Sequence, residues 1–145
     1  MPMPHDISDP LSEAFSATLN RLRQLLREPL AAMPVPLGPP DVSLLLHVST
    51  HPGSSPQCLA RHQGRDKAQL TRKIKVLEAQ GLLRREPDPE DGRRVCLYLT
   101  GQGASIASEG QRIREQAFAS LLQNLNGAER KQLLHLLEKC LQAGS

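Results

Sequence analysis

The chain's 145 residues fit one domain, and a hydrophobic content of 39%, much of it Leu, is enough to close a single modest core. No stretch approaches the roughly 18 to 20 uninterrupted apolar residues of a membrane helix, and Met1 to Pro10 has neither the basic head nor the apolar run of an export leader, so a cytoplasmic protein that engages no membrane is expected. The net charge of +3 is unevenly held: Arg61 to Arg94 contains ten Lys/Arg and six Asp/Glu, a local +4, and the rest of the chain eight and nine, a −1, so the positive charge is one segment.

Asp9 can cap a first helix with Pro10 at its first position, and Leu11, Phe15, Leu19, Leu22, Leu26 and Leu30 then recur at helical spacing. That pattern predicts a long amphipathic helix over about 9–30. Between Pro29 and Pro40, five prolines and a glycine predict a stiff connector, because each proline lacks an amide donor and restricts its predecessor. A second helix is predicted from Pro39 to about Thr50, with Val42, Leu45 and Leu46 inward, stopped by the turn His51, Pro52, Gly53. A third starts with Ser55 as cap and Pro56 at the first position and runs to about Gln63.

The fourth helix carries the most information. Gly64 breaks the preceding helix, Asp66 can accept from the new free amides, and Gln69 stands where a capping-box partner belongs. With Leu70 as the reference direction and about 100 degrees per residue, Ile74 and Leu77 form an inward stripe. Ala68, Arg72 and Lys75 point nearly opposite, flanked by Gln69 and Thr71. An apolar back with a front of small, polar and cationic side chains is what insertion into the major groove of double-stranded DNA requires. The bland alternative, a solvated surface helix, is the commoner meaning of a charged face taken alone.

Gly81 ends this helix, and Leu82 to Glu86 and Val95 to Thr100 read as two strands around the loop Pro87 to Arg93. Val95, Leu97 and Leu99 alternate toward the core, so Cys96 and Tyr98 share the other face. Arg93 and Arg94 end the loop, where long cationic side chains can reach a phosphate ridge or a narrow minor groove. Placed directly after a candidate recognition helix, the hairpin makes a wing. A fifth helix is predicted from about Gly101 to Asn124, with Ile106, Ile113, Ala117 and Leu121 on one stripe and Gly110 as a point of close helix approach. The last starts at Asn126 with Glu129 completing a capping box, and its leucines, Leu133, Leu134, Leu136, Leu137 and Leu141, spread over more than one face. A second chain and the first helix are the two candidate covers for that arc.

The order of these elements and several local strings resemble the MarR family of bacterial regulators from about Leu11 to Leu141. The residues carrying the resemblance are Leu37 to Asp41, His51 to Gly53, Leu59 to Arg61, Gly64, Asp66, Leu77, Glu78, Gly81, Leu82, Arg85 to Arg93, Leu99, Thr100 and Gly103. The wing Asp88, Pro89, Glu90, Asp91, Gly92, Arg93 followed by Leu99 and Thr100 is the most diagnostic. The resemblance implies a mainly α fold with a small β wing. Residues 39–100 form a winged helix-turn-helix region within a single domain of 1–145, and residues 9–30 and 101–141 supply dimerisation helices. It further implies a recognition helix from Asp66 to Gln80, a wing whose Arg93 enters the minor groove, repression from a palindromic operator, and a small-ligand or redox switch near the junction of dimer and DNA-binding regions. Lys67, Ala68, Gln69, Thr71, Arg72, Lys75, Arg93 and Arg94 are the expected DNA-contacting residues. Departures from the family pattern are Gly92 where a second wing arginine is common, Gln63 where a buried Leu is usual, and Gly38 and Gly101 where a cap Thr and a Pro are common.

Rival functions find less support. No phosphate-cradling glycine loop follows a strand and no nucleophile motif is present, so no enzyme is expected. Single-stranded RNA binding needs aromatic platforms, and the chain offers only Phe15, Phe118 and Tyr98. A winged helix used for protein contacts is the remaining alternative. His47 and His51 have helical metal-ligand spacing but no further ligand near them in sequence, and Cys58, Cys96 and Cys140 lack zinc-cage or disulfide spacing, so no metal, no cofactor and reduced thiols are expected. Cys58 is the candidate redox sensor. It falls at the third position of the helix capped by Ser55, near the positive end of the helix dipole, with Arg61 at i+3 and His62 at i+4.

Overall fold

The computed structural model describes residues 8–63 and 66–142. In chain order these form α1 (Ser8–Ala31), α2 (Pro39–Thr50), α3 (Pro56–Gln63), α4 (Lys67–Ala79), β1 (Leu83–Pro87), β2 (Val95–Leu99), α5 (Gly101–Leu121) and α6 (Gly127–Gln142). The break assigned to Gly64 and the side chain of Gln63 lie outside the described residues.

Helix α1 runs through Pro29, so the connector begins later than the proline count predicts. In the last turn the missing amide of a proline removes only one intrahelical bond, and the amides of Met33 and Leu37 close the end by donating to the Leu30 carbonyl at 3.3 and 3.4 Å. Gly38 precedes α2 without a side chain to cap it. The Asp41 carboxylate supplies the other half of a capping box by accepting the Gly38 amide at 2.8 Å. Ser55 Oγ accepts the Cys58 amide at 3.1 Å, and Asp66 Oδ1 accepts that of Ala68 at 3.2 Å, so both helices start at the capping residues read from sequence.

Gly53 turns at φ 86°, a conformation in which a side chain is strained, and its amide donates to the Leu97 carbonyl at 2.8 Å. Ser54 then bridges Leu97 antiparallel, a third strand-like contact at the base of the wing that no sequence pattern signals. Strands β1 and β2 pair antiparallel from Leu83↔Leu99 to Pro87↔Val95. The pairing begins one residue later than expected because Leu82 instead closes α4, donating to the Leu77 carbonyl at 3.0 Å. Leu97 is buried, whereas Val95 and Leu99 are no more buried than Cys96 and Tyr98, so the alternation is weaker than predicted. Tyr98 is covered by the Arg84 guanidinium, 4.7 Å from its ring centroid.

Thr100, read as the last strand residue, caps α5: its Oγ1 accepts the Gly103 amide at 2.9 Å and donates to the Gly81 carbonyl at 2.6 Å. Helix α5 ends at Leu121, three residues before the expected Asn124. The α6 box is formed as predicted, with Asn126 and Glu129 exchanging backbone-to-side-chain bonds at 2.9 Å.

The chain divides into two units, residues 23–114 and the described parts of 1–22 and 115–145. The first contains nearly all the buried apolar side chains, among them Leu30, Leu44, Leu45, Leu59, Leu70, Ile74, Leu77, Leu82 and Leu97. Gly110 approaches Val42 there closely enough that an added Cβ would stand 3.2 Å from Val42 Cγ1. The second unit leaves Leu11, Phe15, Leu134, Leu136 and Leu141 at least half exposed and buries no residue of α6. The stripe read along α1 is thus split: Leu26 and Leu30 are buried, Leu11 and Phe15 are not. No helix among the described residues is long and apolar enough to cross a membrane.

Candidate nucleic-acid interface

Helix α4 turns Leu70, Ile74 and Leu77 into the core and leaves Lys67, Ala68, Gln69, Arg72 and Lys75 exposed, with Thr71 half-buried beside them. Thr71 Oγ1 donates its proton to the Lys67 carbonyl at 2.8 Å, which leaves its lone pairs free to accept. Two ion pairs fix the helix from its flanks. Lys73 Nζ lies 2.9 Å from Oδ1 of the largely buried Asp41; the Gly38 amide serves the other carboxylate oxygen, so Oδ1 depends on the Lys73 charge. At the far end Arg85 Nε bonds both Glu78 carboxylate oxygens at 3.0 Å, and this bond raises the Arg85 pKa above its ordinary value. Sequence reading missed both pairs.

The wing is organised by its acidic residues. Asp88 Oδ1 accepts the Glu90 amide at 2.9 Å and Asp91 Oδ1 that of Arg93 at 3.0 Å, while the Asp88 amide donates to the Arg94 carbonyl at 3.0 Å. Arg93 and Arg94 are both exposed. The basic segment therefore sorts into two sets. Lys73, Arg84 and Arg85 are each ion-paired with a carboxylate. Among the described residues, Arg61 on α3 and Lys67, Arg72, Lys75, Arg93 and Arg94 on α4 and the wing have no such partner.

A second group lies on α2 and α3. His47 and His51 stack with centroids 4.7 Å apart, and His62 joins His47 at 4.8 Å. Ligand atoms of His47, Cys58 and His62 all lie within 4.8 Å of one another. This corrects the expectation that no further ligand stands near His47. Burial, then His51 and His62, lower the His47 pKa. Elsewhere in the same unit, an open groove of about 520 Å³ is lined by Met33, Pro34, Ser105, Ile106, Ser108 and Glu109.

Residues 36–94 match the MarR family. An uncharacterized HTH-type transcriptional regulator of Mycobacterium bovis is 30% identical over 120 residues, covering 83% of this chain and 82% of that one. The chain belongs to the MarR family of transcriptional regulators. Transcriptional regulator HosA of Escherichia coli is 29% identical over 127 residues, 86% of this chain and 94% of its own. Among solved structures, a mutant of E. coli MarR complexed with operator DNA superposes with a TM-score of 0.81 at 27% identity, covering 91% of this chain and 94% of that chain. The mainly helical fold with a two-stranded wing is thus the MarR fold. Of the departures from the family pattern, Gly38 is offset by Asp41, and a side chain at Gly92 or Gly101 would meet nothing within 4 Å.

Proposed function

We propose that this MarR-family protein is a cytoplasmic, non-enzymatic, homodimeric repressor that reads a palindromic operator in double-stranded DNA and is released by a small ligand or by oxidation of Cys58. The observation that carries the reading is the set of unpaired cations. Among the described residues, Lys67, Arg72, Lys75, Arg93 and Arg94 face solution without a carboxylate partner, on a helix held by two ion pairs and on a wing ordered by Asp88 and Asp91. Cations without internal partners are free to displace counterions from phosphates. Ala68, Gln69 and Thr71 then supply small and hydrogen-bonding contacts to base edges, and Arg93 and Arg94 reach the flanking groove. The operator complex of the 27% identical MarR supports the same docking.

The exposed apolar side chains Leu11, Phe15, Leu134, Leu136, Leu137 and Leu141 favour a second copy of the chain as their cover. A two-fold dimer would set its α4 helices about 34 Å apart, on successive major grooves. The open groove at Met33 and Ile106 is the candidate seat for an apolar effector. The deciding experiment titrates operator DNA at several salt concentrations. Arg72→Ala should narrow the gap between operator and random DNA by about 1 to 3 kcal/mol, and Arg93→Ala should lower the salt slope by about one unit. If both variants bind as wild type does, the groove assignment is wrong.

A further inference from the structure

We propose that His47, Cys58 and His62, with His51 as fourth ligand, form a binding site for a zinc-class divalent cation that pins α3 onto α2. The proposal does not rest on the DNA-binding reading, since it concerns side chains outside that interface.

Three observations carry it. The donor atoms of His47, Cys58 and His62 lie within 4.8 Å of one another. A tetrahedral zinc with bonds of about 2.0 to 2.3 Å holds its ligands roughly 3.3 to 3.7 Å apart. The gap between the two is within reach of side-chain rotation. Next, Nε2 of His47 is buried without a hydrogen-bond partner. A buried ring nitrogen is normally satisfied, so an orphan on a ring grouped with potential ligands is an opening for a cation. Finally, Thr50 stands where it can anchor His51 through Nδ1. Thr50 Oγ1 lies 3.1 Å from the Leu46 and His47 carbonyls and 2.9 Å from His51 Nδ1. With its single proton given to a carbonyl, Oγ1 accepts from Nδ1–H and Nε2 of His51 is bare for a metal. A ligating histidine anchored through its other nitrogen is the usual arrangement around zinc.

The chemistry selects the class of ion. Imidazoles with one thiol and no carboxylate suit zinc and other borderline cations, and disfavour magnesium, calcium and manganese. On binding, the Cys58 S–H bond breaks, the thiolate pair forms the S–metal bond, and one proton passes to solvent. Because His47 and His51 belong to α2 and its final turn while Cys58 and His62 belong to α3, the ion would cross-link the two helices that precede α4.

The test uses untagged full-length protein carrying Cys96→Ser and Cys140→Ser, so that Cys58 is the one thiol. Co(II) should bind one per chain with tetrahedral d–d bands and a thiolate-to-cobalt charge-transfer band while releasing one proton, and zinc should displace it with no further proton release. Cys58→Ser should abolish the charge-transfer band, and His62→Ala, at an exposed position, should weaken zinc binding roughly a hundredfold in chelator competition without disturbing the fold. His47→Ala should do the same, with circular dichroism as the check on folding. Cobalt bound without the charge-transfer band, zinc affinity unchanged in Cys58→Ser and His62→Ala, or no binding at micromolar metal would each overturn the proposal.

Discussion

In an Asp41→Ala variant two interactions disappear together. The carboxylate accepts the Gly38 amide at 2.8 Å and pairs with Lys73 at 2.9 Å. Loss of a helix-capping acceptor costs about 1 kcal/mol. The pair is taken at about 1 kcal/mol, the upper end for solvent-accessible pairs, because the Asp41 side chain is 11% exposed but that of Lys73 is 36% exposed and screened. Unfolding entropy of about 2.1 cal/mol/K per residue gives about 0.3 kcal/mol/K for 145 residues, so a loss of about 2 kcal/mol lowers Tm by roughly 7 °C. Lys73→Met should lower it by roughly 3 °C, and the double variant should resemble Asp41→Ala alone, a coupling of about 1 kcal/mol. Differential scanning calorimetry at one fixed protomer concentration measures all three. Additive losses would refute the pairing. So would a Lys73→Met variant with unchanged Tm whose salt slope for DNA falls by about one unit, since Lys73 would then serve phosphate instead of Asp41.

A Cβ at Gly103 would lie 1.9 Å from the Leu82 carbonyl oxygen, so Gly103→Ala should destabilise by about 1 to 3 kcal/mol in urea despite its better helix propensity, whereas Gly101→Ala, which meets nothing, should not. Phe15→Glu or Leu137→Glu, each placing a charge on the exposed apolar face, should raise the dimer dissociation constant at least about a hundredfold in sedimentation, and an unchanged dimer would remove that face from the interface. Mild peroxide should release wild-type protein from its operator while Cys58→Ser stays bound: the thiolate attacks one peroxide oxygen, the O–O bond breaks, and sulfenic acid and hydroxide result, the hydroxide taking a proton from solvent to leave as water. Equal release of both proteins would exclude Cys58 as the sensor.

Several caps whose partners are close in sequence were legible, whereas Thr100 with Gly103 and Asp41 with Gly38, equally local, were not. Asp66 and Ser55 cap the helices they precede, Asn126 and Glu129 close their box, and the period of α4 separates Leu70, Ile74 and Leu77 from Arg72 and Lys75. Periodicity gives a side chain's direction about its own helix axis, not what waits there. The apolar spacing along α1 therefore could not separate the exposed Leu11 and Phe15 from the buried Leu26 and Leu30. Lys73 reads as one more cation of a basic helix until Asp41, from an element far earlier in the chain, is seen beside it.

The same limit explains the histidines. His47 with His51 and Cys58 with His62 are each an i,i+4 pair, visible separately as a weak metal spacing and a cysteine flanked by positive charge. Neither pair means much alone, because two ligands on one helix seldom hold an ion. Only the packing of α3 against α2 brings the donors of His47, Cys58 and His62 within 4.8 Å of one another, with His51 stacked on His47. That group sits one helix before α4, so an occupant would act through the support of α4 instead of through the proposed DNA contacts. An ion at this place and a peroxide at Cys58 would compete for the same sulfur: a metal-bound thiolate has its lone pair engaged, and an oxidised one no longer ligates. Zinc should therefore protect operator binding from peroxide in wild-type protein and give no protection in His62→Ala, a difference that a purely redox or purely structural Cys58 would not produce.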